Sequence, residues 1–134
     1  MPDKTNTALA NVRLIQAKED LQGAEVALEA NLLKGSANRS YYCIFHAMRA
    51  VLALEKFDSK KHSGIISAFR QRYIKTEIFP MNFSDIIKDA FEVRIDSDYL
   101  DFYVVSRDAV TAQINNARVF LTAVENYINT KSQE

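Results

Sequence analysis

Leucine recurs every seven residues near the start of the chain, at Leu14, Leu21 and Leu28. With Ala17 and Ala24 at the intervening positions, this spacing predicts a long first helix over about residues 8–33. Gly35 and Ser36 then combine a helix-ending glycine with a helix-capping serine, which predicts a tight turn at that point. A second helix, ending near Lys56, should therefore pack antiparallel to the first.

Three later segments also have helical spacing of their apolar residues, over about residues 62–75, 84–96 and 106–129. Each of the last two begins at a serine that can cap it, Ser84 and Ser106. Pro80 and its polar neighbours predict a loop before the fourth helix. The stretch between the fourth and fifth helices has strand-like composition but no partner strand, so we expect a loop with at most one helical turn.

Five helices with short connections predict an all-α fold, an antiparallel up-and-down helical bundle. Because 134 residues suit one domain, we expect residues 1–134 to form a single unit with flexible ends at 1–7 and 130–134. Ten apolar residues are predicted to form its core: Leu14, Leu21, Leu28, Phe45, Leu52, Phe69, Phe91, Ile114, Leu121 and Val124.

Composition and charge limit the class of protein and the cellular compartment that we expect. Seventeen basic and seventeen acidic residues give a formal charge of zero, so a general nucleic-acid coat protein is disfavoured. The single cysteine, Cys43, cannot form an intrachain disulfide, and the N-terminal residues lack the pattern of a signal peptide. No apolar run approaches the roughly 20 residues of a membrane span. We therefore expect a cytoplasmic protein without a membrane segment.

Polar residues share one face of the second helix. Arg39 and His46 are seven residues apart, which is two helical turns with a drift of about 20°. Tyr42 lies between them, and Arg49 continues the row. A guanidinium binds phosphate and an imidazole transfers protons near neutral pH, so the pair suits phosphodiester cleavage. On spacing alone, a polar stripe packed against neighbouring helices is the commoner explanation.

Three ordered blocks of this sequence resemble the HEPN superfamily. The first is Arg39, six residues and His46, within NRSYYCIFHAMRAVL; the others are SKKHSGIISAF at 59–69 and RIDSDYLDFY at 94–103. Together they cover most of the chain from residue 38 to 103 and are similar to the compact stand-alone HEPN proteins. The chain departs from the family pattern at Ser40, where Asn, Asp or His is usual, and at Met48, where some toxins carry a tyrosine that their partner adenylylates.

The resemblance implies a homodimer with a composite site for metal-independent RNA cleavage, and a toxin paired with a small nucleotidyltransferase antitoxin. In this chain it implies His46 as general base or acid and Arg39 as the group that steadies the scissile phosphate. Ser40, Tyr42 and Arg49 would support them. The alternative is a non-catalytic HEPN module that binds a nucleotide or docks on a nucleotidyltransferase.

Basic residues elsewhere are candidates for RNA contacts. Lys61 and His62 begin the third helix and could bind a phosphate there, although a solvated basic helix start is the commoner reading. A further basic track is predicted along the same helix, at Arg70, Arg72 and Lys75.

Metal and cofactor patterns are absent from the sequence. Asp96, Asp98 and Asp101 do not fit an EF-hand loop, and Asp98 is expected to pair with Arg94 instead. Tyr99, Phe102 and Tyr103 are then expected to cover the bundle as amphipathic lids. No zinc pattern or phosphate-binding glycine loop occurs, so we expect no metal and no cofactor.

Overall fold

Five α-helices account for most of the chain in a computed structural model, which describes residues 3–134. They are α1 (Lys4–Glu29), α2 (Leu33–Ala53), α3 (His62–Phe69), α4 (Phe83–Tyr99) and α5 (Arg107–Ser132). A π-helical turn, Arg70–Ile74, continues α3. The described residues contain no strand, so the predicted all-α bundle is confirmed.

Helix α2 lies at the centre of the bundle and contacts α1, α3, α4 and α5. Its packing against α1 is close because α1 presents small side chains to it. Ala10, Ala17 and Ala24 recur every seven residues on α1 and are fully buried. This close approach brings polar side chains of the two helices within contact distance of each other.

The turn between α1 and α2 comes earlier than predicted. Asn31 has a φ of 63°, and the N–H of Leu32 donates to the carbonyl of Ala27, which is the hydrogen-bonding pattern of a Schellman C-cap. Asparagine tolerates this left-handed conformation, so no glycine is needed. Gly35 and Ser36 lie inside α2, where the Ser36 hydroxyl donates to the carbonyl of Ala24 at 2.7 Å.

The boundaries of the later helices confirm one predicted cap and correct two other predictions. Ser106 caps α5, with its side chain accepting from the N–H of Ala109 at 3.0 Å. Helix α4 begins at Phe83, so Ser84 is not its cap, and it continues to Tyr99 rather than ending near Asp96. The predicted flexible ends overlap helices α1 and α5; Met1 and Pro2 lie outside the described residues.

Most of the predicted core is buried. Seven of the ten residues have less than a tenth of their surface exposed: Leu14, Phe45, Leu52, Phe69, Ile114, Leu121 and Val124. The other three, Leu21, Leu28 and Phe91, are half-buried at the edges of the two core clusters. A smaller cluster around Ala37 and Val110 sits near the α1–α2 turn and is separate from the main core.

The connection from α4 to α5 is more exposed than predicted. Phe102 is 97% exposed and Tyr99 is 74% exposed, so the expectation that they cover the bundle is wrong. Only Tyr103 packs against the smaller core cluster. The chain leaves α4 in extended conformation at Leu100, one residue after Tyr99. Within the described residues, no helix is both long enough and apolar enough to span a membrane.

Candidate functional site

The predicted polar row lies on the face of α2 that is turned toward α1. The Arg39 side chain is 46% exposed and the His46 side chain 20% exposed, so both reach the surface of the bundle. The Tyr42 ring stacks on the His46 imidazole, with ring centroids 5.9 Å apart. The structure therefore brings together Arg39, Tyr42 and His46, as the helical spacing predicted.

A buried carboxylate on α1, which the sequence analysis missed, lies between the two principal residues. Asp20 is only 2% exposed. Its Oδ1 lies 3.4 Å from Arg39 Nη2 and accepts a hydrogen bond from Gln16 Nε2 at 3.3 Å. Its Oδ2 lies 3.8 Å from His46 Nε2 and has no hydrogen-bond partner. Asp20 is thus the link between Arg39 and His46.

A sequence signal for Asp20 exists. The residue lies three positions after Ala17 and four before Ala24, so it occupies the buried stripe of an otherwise apolar helix face. Charged residues are almost never fully buried unless they are paired. An aspartate in that position therefore predicts a partner on the helix that α1 packs against, and Arg39 is that partner.

Gly23 provides the space in which the Arg39 guanidinium lies. A Cβ placed on Gly23 would be 2.7 Å from Arg39 Nε and 2.9 Å from Nη2, which is closer than atoms pack. Gly23 lies one turn after Asp20 on α1, in a regular helical conformation. The glycine is therefore explained by the close approach of the arginine side chain and not by a turn.

Burial controls the protonation of Asp20. Loss of solvent raises the pKa of this carboxyl, while the Arg39 charge and the Gln16 hydrogen bond act in the opposite direction. Desolvation is the larger effect, because only one nearby cation faces a nearly inaccessible carboxylate. An unpaired Oδ2 makes the arrangement costly, which is typical of a side chain retained for a purpose other than stability.

His46 is neutral at physiological pH. Burial, followed by the neighbouring charges of Arg49, Arg13 and Arg39, lowers the pKa of this imidazole to about 4. Its Nδ1 is buried without a hydrogen-bond partner. A neutral imidazole can accept a proton, so at neutral pH His46 is in the form that a general base requires.

Arg49 continues the row but is held by a carboxylate. Its Nη2 lies 3.1 Å from Asp58 Oδ2, and Arg13 Nη2 lies 3.2 Å from the same oxygen. Arg13 also donates to the backbone carbonyl of Arg49 at 3.2 Å. Two guanidiniums thus share one carboxylate beside His46, which leaves a local excess of positive charge.

His62 packs within an aromatic cluster beside the polar row. Its ring stacks on Phe45 at a centroid distance of 4.0 Å, and its Nδ1 is 2.7 Å from the Tyr41 hydroxyl. Burial lowers the pKa of His62 and raises that of Tyr41 to about 12, so both are neutral at physiological pH. His62, which was predicted to bind a phosphate at the start of α3, is therefore half-buried within this cluster.

The remaining candidates fall in different places. Ser40 is fully buried and points toward α5, where its hydroxyl accepts from Gln113 Nε2 at 2.7 Å. One residue advances a helix by about 100°, so Ser40 is separated from the row that begins at Arg39. Lys61 is exposed at the start of α3.

The predicted basic track along α3 does not form a single line. Arg72 pairs with Glu55 at 3.1 Å and covers the Phe57 ring. Arg70 turns the other way, and its Nη2 donates to the carbonyl of Ser84 at 3.2 Å. The track is therefore split between two surfaces.

The expected pair of Arg94 with Asp98 is confirmed at 3.6 Å, and the Arg94 guanidinium also lies over the Tyr41 and Tyr42 rings.

Comparison with known proteins identifies the family. The family model described as "HEPN domain" matches residues 10–127, which is most of the chain. The chain belongs to the HEPN domain family. The HEPN match includes α2 with Arg39 and His46, and it also includes Asp20 and Gly23.

Several curated proteins are similar over most of their length. A UPF0332 protein of Thermotoga maritima is 30% identical over 84% of this chain and 86% of its own. A protein of Methanocaldococcus jannaschii named "Putative toxin MJ0142" is 23% identical over 87% of this chain and 80% of its own. The crystal structure of ST0689, an archaeal HEPN homologue, superposes with a TM-score of 0.61 at 20% identity, covering 89% of this chain and 97% of that one. That structure supports the HEPN fold.

Proposed function

We propose that this HEPN protein is an endoribonuclease toxin of a toxin–antitoxin pair, acting as a homodimer through Arg39 and His46. The observation that best supports this proposal is that the neutral, part-exposed imidazole of His46 and the part-exposed guanidinium of Arg39 lie on either side of the buried Asp20. The toxin name of the Methanocaldococcus jannaschii relative supports the same biological role.

The proposed reaction uses the ribose of the RNA as its own nucleophile. His46 accepts the proton of the 2′-hydroxyl, and the resulting oxygen attacks the adjacent phosphorus. The bond from phosphorus to the 5′-oxygen breaks, which leaves a 2′,3′-cyclic phosphate and a 5′-hydroxyl. Arg39 donates hydrogen bonds to the phosphate oxygens as negative charge accumulates on them. None of these steps requires a metal ion.

The departing 5′-oxygen needs a proton, and in an in-line displacement it lies on the opposite side of the phosphorus from the imidazole that acts as base. In the proposed homodimer a two-fold axis brings a second polar row opposite the first, and the His46 of the other copy is the general acid. The low pKa of His46 keeps the imidazole that acts as base unprotonated at neutral pH, while an RNA phosphate beside the other imidazole would raise its pKa and favour the acid form.

Asp20 and Gly23 position Arg39 in this proposal. The carboxylate binds the guanidinium from the α1 side, and the absence of a side chain at Gly23 lets the guanidinium lie against the helix. The guanidinium carries further N–H donors for a phosphate, because each guanidinium has five. Neither residue needs to contact RNA to influence cleavage.

Subunit mixing tests the composite site. Arg39→Ala and His46→Ala proteins are expected to be inactive alone. Because each reaction uses the His46 of both copies, a mixed dimer of one wild-type and one His46→Ala subunit should also be inactive, so an excess of His46→Ala protein should suppress cleavage by the wild-type protein after the subunits exchange. Mass spectrometry should find 2′,3′-cyclic phosphate ends, in the presence of excess EDTA. Hydrolysis that stops with EDTA, or that leaves other ends, would reject the proposed chemistry.

The second candidate function is a non-catalytic HEPN module that binds a nucleotide or docks on a nucleotidyltransferase. It is favoured by the internal engagement of Arg39 with Asp20 and by the weak basicity of an imidazole whose pKa is about 4. Nucleotide affinity that falls on Arg39→Ala substitution, in a protein without RNA cleavage, would support this function over the first.

A further inference from the structure

An open groove separates the α3–π segment from α4, on a different surface from the polar row of α2. It encloses roughly 770 Å³. Its floor is apolar, because the buried side chains of Ile66, Ile74 and Ile87 line it, and the exposed Met81 lies at one end. We call this feature the α3–α4 groove. Nothing in the proposed nuclease mechanism uses it.

The shape of the α3–α4 groove is that of a missing helix. One wall runs from Ser63 to Lys75 and the other from Met81 to Glu92. Twelve residues of helix span roughly 18 Å, which is the length of three turns of a helix lying between them. The lining residues on each wall recur three and four apart, so ridges of an inserted helix could fit between them.

The rim of the α3–α4 groove is basic. Arg70, Lys75 and Lys88 line it, against a single acidic lining residue, Glu92. Within residues 3–134 none of these three cations makes an ion pair, and the buried Nε of Arg70 has no hydrogen-bond partner. Asp85 and Asp89 are on α4 but not among the lining residues. The groove therefore offers apolar surface flanked by cations.

The local backbone also differs from an ordinary helix at this wall. The N–H of Lys75 donates to the carbonyl of Arg70 at 2.8 Å, the spacing of a π-helical turn. Such turns are rare in proteins as a whole, and those that occur are often at functional sites. Here the turn carries two of the basic lining residues at its ends, Arg70 and Lys75.

We propose that the α3–α4 groove is the docking site for an amphipathic helix of a partner protein, with an apolar face bordered by acidic residues. Apolar side chains three and four apart would pack on the isoleucine floor, which is the usual mode of helix-in-groove recognition. Glutamate or aspartate beside that face would pair with Arg70, Lys75 and Lys88. A helix with a basic border would meet like charges and bind less tightly.

The docked helix would lie next to the candidate active site without covering it. Phe91, at one end of the groove, packs against Tyr41 with ring centroids 6.1 Å apart. The Tyr41 hydroxyl bonds to His62, and Ser63 of the groove wall is the next residue in the chain. A partner at this end is therefore in position to shift the aromatic cluster beside His46. The docking proposal does not depend on nuclease activity.

Two synthetic helical peptides test the proposal with the full-length protein. Both carry leucines three and four apart over about three turns, and they differ only in having glutamates or lysines beside the leucine face. The glutamate peptide should bind about tenfold more tightly, the effect of two surface ion pairs. Its binding should shift amide NMR signals of residues 63–75 and 81–92.

A charge-reversed variant supplies the decisive comparison. Lys75→Glu combined with Lys88→Glu should transfer the preference to the lysine peptide. Lys4→Glu combined with Lys34→Glu changes the net charge equally at exposed positions outside the groove and should leave the preference unchanged. Equal binding of both peptides, no binding, binding without signal changes at residues 63–75 and 81–92, or an unchanged preference in the groove variant would each overturn the proposal.

Discussion

The α-carbon of Gly23 lies directly against the guanidinium of Arg39. A methyl group on that carbon would come within 2.7 Å of Arg39 Nε, although Gly23 belongs to a regular helix where glycine is unfavourable. Glycine at this position thus lowers the stability of α1 but leaves the space in which Arg39 can lie beside Asp20. Stability and the position of the arginine are in opposition at this residue.

Gly23→Ala should therefore separate stability from activity. Alanine favours a helix by about 1 kcal/mol over glycine, and the arginine can move aside because only the end of its flexible side chain is displaced. We expect an unchanged or higher free energy of unfolding by urea denaturation. RNA cleavage should fall by about 10²-fold, as for a misplaced catalytic group.

Gly35→Ala is the matched control for that experiment. Gly35 also lies in a helix, and a Cβ there would meet only Leu32 Cβ at an ordinary 3.9 Å. The substitution should leave cleavage unchanged. Loss of cleavage in Gly35→Ala, or full activity in Gly23→Ala, would show that the space at Gly23 is unimportant for function.

Asp20→Asn should lower activity without unfolding the protein. The amide has the same shape, and removal of a costly buried charge offsets the lost ion pair with Arg39. The free energy of unfolding should change by less than about 2 kcal/mol, while cleavage falls by about 10²-fold. Glu19→Gln, an exposed neighbour on α1, is the control and should behave as wild type. Equal cleavage by both variants would remove Asp20 from the account.

The pH dependence of stability should report His46. Its folded pKa of about 4 is below the ordinary 6.5, so the unfolded chain binds the proton more readily between these values. The contribution of neutral His46 to the free energy of unfolding should therefore be complete above pH 6.5 and decrease as the pH falls toward 4. His62 acts in the same direction, whereas the raised pKa of Asp20 acts in the opposite one.

His46→Gln should remove part of this acid sensitivity, on the order of 1–3 kcal/mol. His62→Gln controls for the other imidazole. An NMR titration of the His46 ring in the wild-type protein gives the pKa directly, and a transition near 6.5 would contradict the buried, neutral imidazole described here.

Phe102→Ser should weaken the proposed homodimer. The side chain is 97% exposed on the connection that follows α4, so its loss costs the isolated chain little. Burying a phenylalanine contributes about 2 kcal/mol, and a two-fold interface uses it twice. Sedimentation should show dimer dissociation at about 10²-fold or more higher protein concentration than for wild type. Unchanged dimer affinity would exclude Phe102 from the interface.

Helical spacing was sufficient to predict the bundle and the row from Arg39 to His46, because both depend on positions within one helix. The α1–α2 turn was misplaced because Gly35 and Ser36 match the usual signals, whereas Asn31 adopts the left-handed conformation with its own hydrogen bonds. The outward course of Tyr99 and Phe102 could not be read from composition, since apolar residues normally predict burial.

The parts of the site that were missed depend on contacts between helices. Asp20 and Gly23 come from α1, and only the close packing of α1 on α2 brings them to Arg39. Ser40 was included because it follows Arg39 in sequence, yet the helix turns it toward Gln113 on α5. Helix geometry thus points Arg39 and Ser40 to different sides of α2, and helix packing brings Asp20 and Gly23 of α1 to Arg39.

We propose that His46 transfers a proton during RNA cleavage, and the cleavage rates of purified wild-type and His46→Ala protein measure that role. General acid–base catalysis contributes about 10²- to 10⁴-fold, so His46→Ala should lose detectable cleavage while remaining a folded dimer. His62→Ala should retain it. Absence of cleavage by the wild-type dimer, or equal cleavage by His46→Ala, would contradict the account.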